Sequence, residues 1–454
     1  MAVSSILTSY SKVISIEETY QAPVVVIPNT RIPLTSLYCF IGRVDQWAND
    51  NSPEQPLQTQ AYLKQVFKNM FAAKQITSSD LSPVLQRIDW TYNTTYYYYQ
   101  DNFDMLQVDD NGFLKYPFYV KNQYDQVFKC LWNNNGGPSL YEPYFEPGTY
   151  GTNNIYNNPL DGYKWKYMYT IDSGSKLKFM DDSWIPVPLG ANSPNPLIST
   201  AGYGDIEAIN ITNGGSGYDS VNSVVTITIT GDGYGATATP VISGGQITDI
   251  TVTNPGSNYT FANVSISSTL GSGATAISPV SPVGGHSFDP ISELGTSRIM
   301  FAIEFDKDET GTIPTDVKYH QVGILVNPTT NGLSPLPANG SIYDTSTQLI
   351  LAPGFGSYQY DEIVYQGSPT NPTFVGTVVS FDLATSRLRV INTTGTLITN
   401  ASLYGSVSTT TRTLLGYNTP EFTLFSGLIV YLENRSAIQR STEGIEQFKF
   451  VLSY

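Results

Sequence analysis

Two histidines, His286 in VGGHSFDP and His320 in KYHQVG, are the only imidazoles in a chain of 454 residues. Nucleophile triads and His-rich metal sites need imidazole beside a second group, so that chemistry is almost excluded by composition. His286, following two glycines, reads as a turn residue. The carboxylate pairs Glu17–Glu18, Asp109–Asp110 and Asp181–Asp182 remain as acid–base candidates. Adjacent acids on a loop are usually solvated charge, and glycoside hydrolysis needs two carboxyls set apart across a cleft, which sequence spacing does not show. The GDGYG of 231–235 offers one Asp where a calcium site needs about six or more oxygens, so it reads as a glycine turn. No phosphate-cradling loop or dinucleotide fingerprint stands between a strand and a helix. Cys39 and Cys130 each lie in an apolar, strand-like run and read as buried thiols rather than a disulfide or a ligand pair. The expectation is a protein that is not an enzyme and uses no cofactor and no metal.

The composition points to broad surfaces instead. Only 13% of residues are charged, another 13% are aromatic, and there are 32 Tyr, 38 Gly and 28 Pro. Rings at half-buried strand positions, joined by turns, predict a mainly β fold, with α+β character in the N-terminal region. Twenty-three basic residues face 38 acidic ones, for a net charge of −15 and no basic cluster. Phosphate backbones and anionic membranes both select clustered Lys and Arg, so neither is an expected partner. The N-terminus carries neither a basic leader nor an apolar core long enough for export, and no stretch approaches a membrane span, so synthesis in the cytosol is expected.

Along the chain, LYCFIGRVDQW (37–47) is a predicted strand, followed by one helix near 57–75. In that helix Tyr62, Val66 and Met70, with Leu63, Phe67 and Phe71, form an apolar stripe, and Pro56 lies near the start. TTYYYYQDNF, DQVFKCLWN and DGYKWKYMYTI read as further strands, and the prolines of IPVPLG (185–190) suggest the end of a unit. Residues 206–285 contain an internal duplication. Ile209, Thr212, Asn213, Gly215, Ser216 and Tyr218 recur as Ile250, Thr253, Asn254, Gly256, Ser257 and Tyr259, and the GATAT of 235–239 recurs as GATA at 273–276. Val225, Ile227 and Ile229 alternate with Thr226, Thr228 and Thr230, as in small β units. Ile299, Phe301, Ile303 and Phe305 face one way on a later strand, and HQVGILVNP is another. A second Thr-rich block at 335–416 suits a small barrel or sandwich.

Four segments follow from these patterns. A discontinuous core domain takes 1–90, 296–330 and 420–454; an aromatic-rich β domain takes 91–202; inserted β modules occupy 203–285 and 335–416.

The ordered set FIGRVDQW, helix, LQRIDW, VFKCLW, DGYKWKYMYTI, IPVPL, YHQVGILVNP and SGLIVYLENRSAIQRSTEGIEQFKFVLSY resembles the baseplate wedge subunit of T4-like contractile-tailed bacteriophages, the product of gene eight. The resemblance covers roughly 1–200, 296–330 and 420–454, and the two modules fall between its segments, as insertions into surface connections would. It implies a mostly β homodimer in the virion tail baseplate, in contact with other wedge proteins, that holds and then rearranges the baseplate on host attachment. It does not imply an enzyme. It also implies that the terminal segments meet in one domain. LIVYL is then a central strand, with Glu433 and Arg435 at its mouth; a hairpin turn with exposed charges is the competing arrangement. Trp47, Trp90, Trp132, Trp165 and Trp184 are candidate interface anchors, against the alternative that they are core. Among them Trp47, Trp90 and Trp165, with Glu433 and Arg435, are the foremost interface candidates. The competing function is an adhesin-like tail protein that binds host-surface glycans through the Tyr-rich stretches and the repeats, and the inserted modules are the expected place of any host contact.

Overall fold

The computed structural model describes residues 36–150, 153–188, 203–306, 309, 312–333 and 335–453, with the backbone of strands Val3–Leu7, Val24–Ile27 and Thr30–Pro33. The side chains of residues 1–35, Glu17–Glu18 among them, together with Tyr454 and the end of IPVPLG, lie outside the described residues. The fold is mainly β, built from several sheets and a small closed barrel. It divides into two compact units, one running to Leu81 and resuming over Phe301–Leu452, the other spanning Ser82–Met300.

In the first unit, a six-stranded sheet is antiparallel throughout, in the order Val3–Leu7, Leu428–Gln439, Lys318–Val326, Leu37–Gly42, Met70–Ile76, Ile342–Asp344. Leu37–Gly42 is buried along its whole length, as its uninterrupted apolar sequence requires of a strand covered on both faces. The helix Gln60–Asn69 lies against this sheet through Leu63 and Val66, which share a core with Tyr38, Phe40, Leu325 and Leu432. Thr59 caps it by accepting from the Tyr62 N–H at 3.3 Å. The expected helix of 57–75 is therefore too long. Its second half, MFAAKQI, is the strand Met70–Ile76, pairing with Leu37–Gly42. Apolar residues spaced four apart also satisfy a two-residue repeat, and sheet pairing outweighs the helical preference of Met70, Phe71, Ala72 and Ala73.

The strand Arg298–Phe305 buries Ile299, Phe301, Ile303 and Phe305 as expected, but Met300 and Ala302 are buried too, so it is covered on both faces. Phe305 packs edge-on to Phe448 of strand Glu446–Ser453, 5.7 Å between ring centres. The Thr-rich block closes into a barrel in the order Thr347–Leu351, Arg387–Gly395, Asn371–Asp382, Ile363–Ser368, Ser402–Gly405, Thr411–Asn418, filled by Leu349, Val364, Val378, Leu388 and Leu403. Closure leaves no free edge.

The second unit holds a four-stranded antiparallel sheet, Tyr119–Lys121, Gln126–Asn133, Tyr163–Thr170, Ile155–Asn157. TTYYYYQDNF, expected as a strand, instead forms an irregular segment. Its backbone still bonds to the sheet region, Tyr99 N–H donating to Cys130 O at 2.8 Å, so its rings pack without a regular ladder. IPVPLG contributes Ile185 and Pro186 to a short strand, Trp184–Pro186, paired with Leu81–Gln86. Its proline sits at the strand's end, where it is tolerated.

The duplicated module pairs its repeats with each other. Asn210–Ser216 joins Ser272–Ile277, Thr237–Ser243 joins Gln246–Asn254, and Val225–Gly231 joins Ala262–Ser268. Exchange of the two repeats maps the first pair onto the second and the third onto itself, a pseudo-twofold arrangement. The Ala274 N–H donates to the Tyr218 hydroxyl at 3.3 Å, and the Ala236 N–H donates to Tyr259 at 3.4 Å. Thr212 meets Thr275 and Thr237 meets Thr253, each pair of hydroxyls 2.7 Å apart. Gly215 and Gly256 hold φ of 64° and 66°, and a Cβ on Gly215 would lie 2.5 Å from Ser272 O. That explains why both repeats keep glycine there.

Candidate functional site

Glu433 and Arg435 do not end a strand. Leu428–Gln439 runs through them, flanked by Val3–Leu7 and Lys318–Val326, with Glu433 opposite Val322 and Ser5. LIVYL is thus an internal strand, but its charges lie within it rather than at a mouth or in a hairpin turn. Asn434, a turn-former by type, is fully buried in the same strand. Its side chain donates to Glu54 O at 2.7 Å and to the Tyr62 hydroxyl at 2.8 Å, and accepts from Gln321 at 2.9 Å. Polar residues persist in this buried strand because each finds a partner.

The loop after Leu37–Gly42 runs alongside them. Trp47 donates its indole N–H to Arg435 O at 2.9 Å, and Ser436 Oγ donates to Asp50 O at 2.7 Å. The Arg43 guanidinium lies 3.6 Å from the Trp47 ring centre. Glu433 accepts from both Tyr431 and Arg435, and Arg435 also lies 5.5 Å from the Phe448 ring centre. This cluster fastens the loop of 47–54 along the strand near the C-terminus, and its charges are spent inside the fold.

The tryptophans divide by environment. Trp165 is fully buried, stacked on Tyr163 at 5.5 Å and edge-on to Tyr96 at 5.4 Å, so it is core and has no ring surface for another chain. Trp47 and Trp132 are also buried. Trp90 is half-buried, its N–H donating to Ser139 Oγ at 3.0 Å, and Trp184 is half-buried beneath Arg298, 4.8 Å from its ring. Of the foremost ring candidates, Trp90 alone keeps substantial surface open.

His286 is in a turn, as its glycines suggested, yet it is buried in a charged cluster. Lys129 Nζ lies 3.0 Å from His286 Nδ1 and 2.9 Å from Glu293 Oε2, with the Tyr99 ring centre 4.0 Å away. Glu207 accepts from Lys166 and, at 2.8 Å, from the His286 backbone N–H. Burial works to raise the Glu293 carboxyl, but Lys129 and His286 outweigh it and hold it at about 2. Glu207 is likewise held below its usual range, burial opposing Lys166 and His286. Burial, with Lys129 adding to it, lowers His286 below its ordinary value. A cluster so enclosed can lock strand, turn and the short helix Pro290–Glu293 together.

Lys129, Glu293, Glu207 and Lys166 were not singled out from sequence. The available signal was a lysine within an otherwise apolar strand, in VFKCLW and YKWKYMY, which demands a buried carboxylate. His320 is fully buried, Nε2 3.5 Å from Asp50. Asp109 and Asp181 cap their own turns, and Asp232 of GDGYG accepts from the Thr260 N–H at 2.8 Å. Cys39 and Cys130 are free, buried thiols. Among the described residues no group of three or more His, Cys, Asp or Glu is arranged to hold a metal ion.

Against known proteins, the chain matches no family model and no curated protein.

Proposed function

We propose that this protein is a structural subunit of the baseplate wedge of a contractile phage tail. In this reading it is a homodimer that links other wedge proteins in the virion and helps the baseplate hold one arrangement until host attachment drives another. One observation carries the reading. The resembling segments at 37–47, 60–69, 318–326 and 428–439, far apart in sequence, form one sheet with its helix. Outside the resemblance, the duplicated block closes on its own strands, and the Thr-rich block closes into its barrel except for Ile342–Asp344, which joins the sheet at its edge. A continuous scaffold carrying self-contained insertions suits a part that must move as a rigid body between two assembled states. The charged residues at the scaffold's centre pair internally, which favours a mechanical over a chemical role.

Deletion of the gene tests this. The reading expects particles or lysates with tails that lack complete baseplates, restored by the gene supplied in trans. Normal baseplates in the deletion would refute it.

A further inference from the structure

Between the edge strand Ile155–Asn157 and strand Gln246–Asn254 of the duplicated module, the Ser82–Met300 unit contains a cleft of about 430 Å³. That lies within the range of roughly 300–1,000 Å³ typical of small-molecule sites. We propose that this cleft binds a neutral hexopyranose, the terminal or internal sugar of a glycan.

Three kinds of lining group support that chemistry. Phe145 and Tyr150 are half-buried and supply ring surface, with Tyr150 held in place by stacking on Tyr167 at 4.6 Å. The C–H face of a pyranose covers such a surface well. Asn157 and Asp249 set an amide beside a carboxylate, Asn157 Nδ2 donating to Asp249 Oδ2 at 2.8 Å, while Lys164 Nζ lies 2.7 Å from Asp249 Oδ1. Hydroxyls donate and accept at once, so neighbouring sugar hydroxyls match a row that presents both functions. Asn154, buried and on the cleft wall, has a side-chain oxygen with no hydrogen-bond partner among the described residues.

Charge selects against other ligands. Lys164 is paired with Asp249, and Glu207 of the wall with Lys166. A charged ligand would have to separate one of these pairs and strand its partner in a low dielectric. A neutral polyhydroxyl compound makes its bonds without doing so. The site joins the sheet, through Asn157 and Lys164, to the module, through Asp249, so its occupation would also brace the two against each other. It stands apart from the wedge assignment, since a tail protein of any kind could carry it.

Saturation-transfer NMR on the full chain tests it, with methyl glycosides of glucose, galactose and mannose and with glucuronic acid as the charged comparison. Transfer to at least one neutral glycoside is expected, together with at least about tenfold weaker binding in Asn157→Ala, an exposed position that should leave the fold intact by circular dichroism. Tyr150→Ala should weaken the same glycoside. No transfer to any neutral glycoside, a preference for glucuronic acid, or binding unchanged in Asn157→Ala would each overturn the proposal.

Discussion

Trp47 donates its indole N–H to the backbone carbonyl of Arg435, 2.9 Å away in space and 388 residues away in sequence. The bond fixes the loop after an early strand to the strand near the C-terminus. Trp47→Phe removes it and keeps most of the ring over Arg43. A loss of about 0.5–1.5 kcal/mol is expected, read as an earlier midpoint in urea. Trp47→Ala also removes the buried ring and should cost about 3–5 kcal/mol.

Glu433 accepts from Tyr431 and Arg435 within a buried strand. Glu433→Gln leaves the guanidinium without its counter-charge. Arg435 keeps some solvent access, which places the expected loss near the lower end of about 3–5 kcal/mol. Denaturation followed by Trp fluorescence measures it, and a double-mutant cycle with Arg435→Met should recover part of the loss.

The pseudo-twofold module makes a matched prediction. Tyr218→Phe and Tyr259→Phe each delete one equivalent acceptor, so each should cost about 1 kcal/mol, by similar amounts. Gly215→Ala forces a Cβ against backbone at positive φ and should unfold the module, whereas the tyrosine variants should not. Because its strands pair only with one another, the 203–285 fragment is expected to fold alone, with dispersed amide resonances and a cooperative melt.

Much of this architecture was legible in sequence. The alternation of Val225–Thr230 and the repeated Asn-Gly-Tyr positions marked the module, and the apolar runs around Cys39, Cys130 and Val322 marked buried strands. What escaped were features that depend on distant partners. Met70–Ile76 becomes a strand because Leu37–Gly42 lies beside it. Asn434 is buried because Tyr62 and Glu54 meet it. Lys129 is tolerated because Glu293, from a turn and short helix far along the chain, reaches it. Local composition cannot supply such partners, although an isolated lysine in an apolar strand announces that one must exist.

The Lys129–His286–Glu293 cluster predicts acid sensitivity. Glu293 and Glu207 are held below their unfolded values, so their contribution is present above about pH 4.5 and is lost as pH falls through their lower folded values. His286 is also lowered, so the unfolded chain takes up its proton first, and stability declines as pH drops below about 6.5. All three act in the same direction. Amide protection factors at Lys129–Trp132, which correct for the slower intrinsic exchange in acid, should fall from pH 7 to pH 4, and Glu293→Gln should destabilise this unit by about 3–5 kcal/mol at neutral pH.

The wedge assignment is tested most directly by electron microscopy of purified phage particles, intact and disrupted, labelled with an antibody against residues 203–285. The account predicts label in a ring at the distal end of the tail. Label on the head or the fibres, or none on either preparation with an antibody that binds the purified protein, would contradict it.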